Sequence, residues 1–504
     1  PGPDDMVGVW GRSPTSPRGE AVADRTGAPV LRVEDAFLRS VHPGRSGSAP
    51  IGLILDPVGV HFDSSAPSLI EHLAVNERLD DSALMQRARD GMARLKSVQL
   101  SKYNNFDPDL AVPEPGYVLV IDQTEGDASI THGGGSAAMF REMLVFAQAE
   151  HRGSRIIIKT HPETAAGHRQ GHYGPDVETD LITILADPVS PWTLLEGAIA
   201  VYTVSSQLGY EAILAGHKPR VFGQPFYAGW GLTQDENPVA RRERQLTRAQ
   251  LFAISHILAP TWYDPCRDRL CRFEEAVDQL EAEVRAFRDD HRGHVAVGIR
   301  RWKHRHIQQA FGREKPVIFQ NEVGPAIEKA QQTGRDLLVW AGQSLPDIFS
   351  AGLKVRRIED GFLRSRGLGA DLVPPLSHVI DDLGIYYDPT HESRLERLVA
   401  AELSPVEERR AERLLAAITA AGLTKYNVGE DLPDLPDGHR ILVPGQVEDD
   451  ASMQFGAGEI NTNAALLAET RAHNPDAIIL YKPHPDVIAG LRPGKLDPAE
   501  ALKH

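Results

Sequence analysis

The chain repeats itself. VEDAFLRS at 33–40 returns as IEDGFLRS at 358–365, and LDPVGVHFD at 55–63 as IDDLGIYYD at 380–388, each 325 residues on. SKYN at 101–104 returns as TKYN at 424–427, QTEGDAS at 123–129 as QVEDDAS at 446–452, and KTHP at 159–162 as KPHP at 482–485, each 323 residues on. Five blocks in one order, drifting by only two residues, define two homologous modules. The period is far too long for a solenoid. At 504 residues the chain also exceeds what one hydrophobic core supports. The polar stretch DDHRGHV at 289–295 is the expected boundary, giving a first module over 1–290 and a second over 291–504. The second KPHP lies about 20 residues before His504, with no counterpart of TVSSQLGYEA or GQPFYAGWGL after it. The second module therefore reads as C-terminally truncated.

Within a module, strand-like apolar runs alternate with helix-like segments, which predicts parallel α/β sheets. The runs are VGVW, PVLRV (29–33), IGLIL, YVLVID (117–122), the stretch 155–159, ITILAD (182–187) and AIAVYT (198–203). Residues 68–98 read as mostly helical, and GQPFYAGWGL (223–232) as a Gly/aromatic loop. From about 264 to 290 a helix is expected, since Leu270, Phe273, Val277, Leu280, Val284 and Phe287 recur every three or four residues. Cys266 and Cys271 fall in that stretch, five apart, and read as free thiols of a reducing cytoplasm.

A net charge of -16 argues against general nucleic-acid binding. No apolar run approaches a membrane span. The opening PGPDDMVGVWGRS has no leader pattern, and its lack of an initiator Met reads as a trimmed start. GIRRWKHRHIQQAFG (298–312) is the one concentrated basic segment. It reads either as a solvated helix face or as a contact for an anionic lipid headgroup or acidic glycan.

The repeated blocks carry the chemistry. Ligands of open parallel sheets bind at the carboxyl ends of strands. Asp127 and its counterpart Asp450 sit in such a position, as a catalytic carboxylate or as a helix cap, with Gln123 and Gln446 beside them. Glu34-Asp35 and Glu359-Asp360 end another strand. They suit acid–base work across a cleft, or salt bridges to Arg39 and Arg364. Lys159 with His161, and Lys482 with His484, sit where a strand stops at a Pro and are placed to meet an anion such as a phosphate. Ser205 and Ser206 open a helix, where free N–H groups and hydroxyls favour anions. Glu211, farther along that helix, is within range of a sugar hydroxyl or is a surface residue. THGGGS matches neither dinucleotide nor P-loop spacing, and no metal-ligand spacing occurs.

EDAFLRS, the D-x-x-G-(V/I)-(H/Y)-(F/Y)-D block, SKYN, Q-x-x-x-D-x-S, KTHP, SSQLGYEA and GQPFYAGWGLT together resemble the capsule polysaccharide β-Kdo transferase (KpsC) family, over almost the whole chain. The resemblance implies tandem GT-B-like modules, each of two Rossmann-like halves with parallel sheets, the second module incomplete. In the first module, about 1–110 would be the acceptor side, about 111–240 the donor-binding half, and 241–290 a helical return. It implies retaining transfer of Kdo from CMP-Kdo to a β-Kdo-terminated glycolipid of phosphatidylglycerol type, in linkages 2→4 and 2→7. The place would be the cytoplasmic face of the inner membrane, at the capsule export complex. Carried over, the resemblance makes Asp127 and Asp450 the essential carboxylates and nucleophiles of their modules, with Glu34 and Glu359 as acid/base partners. His161-Pro162, His484-Pro485 and Ser205-Ser206 become contacts of the CMP moiety. In retaining glycosidases such carboxylates stand about 5–5.5 Å apart. The anionic CMP leaving group implies no metal and no cofactor. The first module is expected to work, and the second, as it stands in this chain, to hold CMP-Kdo poorly. A nucleotide-sugar 2-epimerase of the same layout and a non-catalytic scaffold of the export complex are the rival readings.

Overall fold

A computed structural model describes residues 2, 4–343, 352–429 and 433–502. The chain divides into two compact units, Pro1–Arg288 and Asp289–His504.

In the first unit the chain begins with β1 (Val7–Trp10), β2 (Val30–Asp35) and β3 (Gly52–Asp56). It then builds a second half from β4 (Tyr117–Ile121), β5 (Ile156–Lys159), β6 (Ile182–Leu185), β7 (Ala198–Thr203), β8 (Arg220–Val221) and β9 (Gln234–Asp235). Finally it returns to the first half with β10 (Pro260–Asp264) and β11 (Arg269–Cys271). The second-half sheet, ordered β6-β5-β4-β7-β8-β9, is parallel throughout. Both its faces are covered, which is why its strands read as unbroken apolar runs. Val118, Val120, Ile156 and Ile158 pack on Phe140 and Met143, while Tyr117, Leu119 and Ile157 pack on Leu194 and Leu195. Each such side chain contributes about 1.5–3 kcal/mol on burial.

The first-half sheet, ordered β1-β2-β3-β10-β11, departs from the parallel expectation. Only β1 and β2 run parallel; β3, β10 and β11 pair antiparallel to their neighbours. A parallel neighbour needs a crossover element, and residues 36–51 between β2 and β3 hold only one 3-10 turn, Gly44–Ser46. The Gly/aromatic loop fills the seam between the halves. Phe226 stacks on Phe37 at 4.3 Å between ring centres, and the indole N–H of the fully buried Trp230 donates to the Phe226 carbonyl at 2.8 Å.

The stretch 264–290 is not one helix. Asp264 accepts the backbone N–H groups of Cys266 and Arg267 at 2.9 and 3.2 Å, and Asp268 takes φ +48°. These local bonds reverse the chain into a β10–β11 hairpin, an outcome Asp favours over helix. Cys266 is exposed in the turn and Cys271 lies on β11, both as free thiols. The helix starts at Phe273 and runs to Asp290. Accordingly Leu270 is 68% exposed, whereas Phe273, Val277, Leu280 and Val284 are buried.

In the second unit, β12 (His294–Val297), β13 (Ile318–Gln320), β14 (Asp336–Trp340), β15 (Val355–Asp360) and β16 (His378–Asp381) form a sheet ordered β13-β12-β14-β15-β16. Strands β14, β15 and β16 repeat β1, β2 and β3: Ala341 N–H donates to the Ile358 carbonyl at 2.9 Å, as Gly11 N–H does to Val33 at 3.0 Å. Strands β12 and β13 have no counterpart among the described residues of the first unit. Then β17 (Arg440–Pro444) and β18 (Ile478–Lys482) pair in parallel, as β4 does with β5, and no further strand joins them among the described residues. Among the described residues no helix is long and apolar enough to cross a membrane.

Candidate active site

The carboxyl ends of β4, β5 and β7 open on a cleft of about 750 Å³ that the first half of the unit closes from the other side. Glu34, Gln123, Asp127, Lys159, His161, Ser205, Ser206 and Glu211 all line it. So does Lys102 of the SKYN block, whose role no motif announced.

The two readings of the Glu34-Asp35 pair divide between the two residues. Asp35 Oδ2 accepts from Arg39 Nε at 2.7 Å, so this carboxylate forms the salt bridge. Glu34 lines the cleft; burial pushes its carboxyl up to about 7, opposed by Lys102 and aided by Asp35 and Asp127. A carboxyl near 7 can gain or lose a proton at working pH. Gly11, at φ +39°, lies so close that a Cβ there would collide with Glu34 Oε1.

Asp127 is a cap, with an open oxygen. It precedes the Ala128–His132 helix, and its Oδ1 accepts the Ser129 N–H at 2.8 Å. Its Oδ2 makes no hydrogen bond among the described residues. Gln123 is a clamp: its Oε1 accepts the Ser205 N–H at 2.9 Å and its Nε2 donates to Ser205 Oγ at 3.1 Å. Ser206 caps the Gln207–Ala215 helix, its Oγ accepting the Leu208 N–H at 3.3 Å. His161 Nδ1 accepts the Glu163 N–H at 3.2 Å, which assigns its proton to Nε2. Burial lowers its pKa, so it enters the cleft as a neutral N–H donor. Lys159 is turned aside: its ammonium donates to the Asp187 carbonyl at 2.8 Å and the Leu185 carbonyl at 3.4 Å, and burial lowers it to about 8. Glu211 is buried rather than superficial. It accepts the Ser101 hydroxyl at 2.7 Å, and burial raises it to about 7.

The second unit repeats the plan with looser fittings. Asp360 Oδ2 accepts from Arg364 Nε at 2.5 Å, and burial raises Glu359 to about 6, with Asp450 adding to the rise. Tyr387, standing where the first unit has Phe62, offers its hydroxyl to Glu359 Oε2 at 3.5 Å. Asp450 caps the Ala451–Gly456 helix through Ser452 N–H at 3.0 Å, and His484 Nδ1 accepts the Asp486 N–H at 3.2 Å. Lys482 is exposed, and the Gln446 side chain makes no hydrogen bond among the described residues. The basic segment is not a wholly solvated face. Arg301–Lys303 form a short turn before the His304–Phe311 helix, and the Lys303 ammonium lies 2.8 Å from the centre of the Trp340 ring. Burial lowers Lys303 to about 8, against the pull of Asp360 and Glu359. Arg300, Arg301 and Arg305 remain exposed.

Residues 91–259, 348–428 and 433–497 match the family model described as capsule polysaccharide biosynthesis protein. The chain is 35% identical, over 527 residues, to the capsule polysaccharide modification protein LipA of Neisseria meningitidis serogroup A, an alignment covering 100% of this chain and 74% of that protein. It is 36% identical over 266 residues to the lipopolysaccharide-processing protein LpsZ of Rhizobium meliloti, covering 52% of this chain and 60% of that protein. Among solved structures it is similar to Thermosulfurimonas dismutans KpsC, a β-Kdo 2,4 transferase, at 34% identity and TM-score 0.53, covering 56% of this chain and 88% of that one. The repeat, the paired halves and these matches agree: the chain belongs to the capsule polysaccharide biosynthesis family, among its LipA- and KpsC-like members.

Proposed function

We propose that this protein is a retaining β-Kdo glycosyltransferase that moves Kdo from CMP-Kdo to a β-Kdo-terminated glycolipid in capsule polysaccharide biosynthesis, each compact unit being one transferase module. One observation carries the reading: Glu34 and Asp127, from opposite halves of the first unit, line the same cleft and feel each other's charge. Asp127 Oδ2 attacks the anomeric carbon and CMP departs. The charge on its phosphate is met by His161 Nε2–H and by the start of the Gln207–Ala215 helix at Ser205 and Ser206. Glu34 then takes the proton of an acceptor hydroxyl, which displaces Asp127 from the same carbon. Two inversions give retention. The reading assigns no metal to the reaction, so transfer in excess EDTA proceeds at the untreated rate. The acceptor is of phosphatidylglycerol type, which places the protein at the inner face of the membrane beside the export machinery. The test is incubation of the 504-residue chain with CMP-Kdo and a synthetic β-Kdo acceptor, the product linkage being read by NMR. A new β-Kdo linkage that disappears in Asp127→Ala supports the assignment; undiminished transfer by that variant sinks it.

A further inference from the structure

The cleft is rich in carboxylates yet has to admit an anionic donor. Glu34, Asp35, Asp122, Asp127, Glu163 and Glu211 line it. Most of its cations are committed. Arg45 pairs with Glu163 at 3.2 Å, Arg169 donates to the Glu125 carbonyl at 2.6 Å, and Lys159 serves the carbonyls beyond β6. Lys102 differs. Among the described residues its ammonium is in no hydrogen bond or close ion pair, and it lies 5.6 Å from the centre of the Tyr103 ring. Its charge is nonetheless felt by Glu34, Asp127 and Glu211.

The lysine is also held in place. Asn104, fully buried, accepts the Ser101 N–H at 2.9 Å and donates to the carbonyls of Ser101 at 2.8 Å and Ser40 at 3.0 Å. The Lys102 carbonyl accepts the N–H groups of Arg39 and Ser40, and Ser101 Oγ is bonded to Glu211. A loop fixed on three sides presents an ammonium whose three donors await a partner.

We infer that Lys102 anchors the carboxylate of the donor sugar. The inference rests on the Kdo-transfer reading above. In a 2-keto-sugar acid the carboxylate is borne by the reacting carbon itself. The cation that stands with the two reacting carboxylates therefore meets the sugar's own acid group, while the phosphate lies toward His161 and Ser206. A charge-assisted hydrogen bond there fixes the anomeric carbon for Asp127.

The test compares CMP with CMP-Kdo by calorimetry on the full chain, for wild type, Lys102→Met and Lys102→Arg. Wild type binds CMP-Kdo more tightly than CMP. Lys102→Met is expected to keep its CMP affinity within about twofold and to lose CMP-Kdo affinity by about tenfold or more, with Lys102→Arg recovering part of it. Equal loss for both ligands makes the lysine structural and overturns the inference, as does no loss for either. A wild type that fails to prefer CMP over UMP sinks the donor reading and takes this inference with it. A wild type that prefers CMP, and a Met variant that discriminates CMP-Kdo as before, sink the lysine alone.

Discussion

The same motifs are set in two different environments, and the difference separates what the motifs do locally from what the surrounding fold adds. At the level of the turn the units match bond for bond. Asp127 and Asp450 cap helices, His161 and His484 cap helices through Nδ1, and Asp35 and Asp360 pair with Arg39 and Arg364. At the level of the sheet they part. In the first unit β4 lies inside six strands, and Gln123 reaches across to clamp Ser205. In the second, β17 has only β18 beside it among the described residues, Leu442 on β17 is 60% exposed, and Lys425 is exposed where Lys102 is half-buried. Local bonds shape a motif; a covered sheet makes a cleft of it.

The largest test of that contrast is a pair of variants of this 504-residue chain. Asp127→Ala is expected to lower kcat/KM for transfer by about 10³-fold or more, and Asp450→Ala to change it by less than about twofold. Equal losses would break the comparison. Next comes Gly11→Ala, whose new methyl collides with the Glu34 carboxylate. On the proposed mechanism the displaced Glu34 lowers kcat by about 10²-fold, with donor affinity retained, as stopped assays and calorimetry would read. In third place stands the Asn of the SKYN and TKYN blocks. Asn104 is fully buried and Asn427 partly exposed, though their bonds are alike. Asn104→Ala is expected to cost about 2 kcal/mol in chemical unfolding and Asn427→Ala about half that or less.

The smallest effect is in the pH profile. On the proposed mechanism Glu34 is the base, its ionised form the active one, so rate is expected above its pKa and is lost as pH falls through about 7. A second-unit reaction using Glu359, raised to about 6, would show a lower limb. The Asp450→Asn variant, which isolates the first unit, should therefore show a kcat/KM limb near 7. Because Lys102 holds the Glu34 pKa down, Lys102→Met moves that limb upward.

Much of this was legible because the informative bonds are short in sequence. An Asp two residues before the N–H that donates to it, or an Arg four residues after its Asp, behaves alike wherever the fold puts it. What escaped was decided by longer reach. Periodicity through Leu270 and Phe273 suggested a helix, but Asp264 and its turn bonds start a hairpin that β3 then completes. Strand direction at β3 depends on a connection, not on apolar pattern. Lys102 looked like one more residue of a repeated block because its meaning depends on Glu34, Asp127 and Glu211 arriving from three other places. Lys303 was placed in a basic surface run because nothing local announces Trp340 beneath it.

The late return of β10 to the edge of β3 has a consequence in time. Every residue lining the cleft lies before position 227, whereas the strand that pairs with β3 is residues 260–264. During synthesis the ribosome therefore delivers the whole reactive surface while the sheet carrying Glu34 still has an open edge. That edge is a template for unwanted pairing until residues 227–264, 38 in all, have emerged. The pace at which the ribosome passes residues 227–264 is thus a lever on the yield of folded protein that leaves every residue of the cleft unchanged.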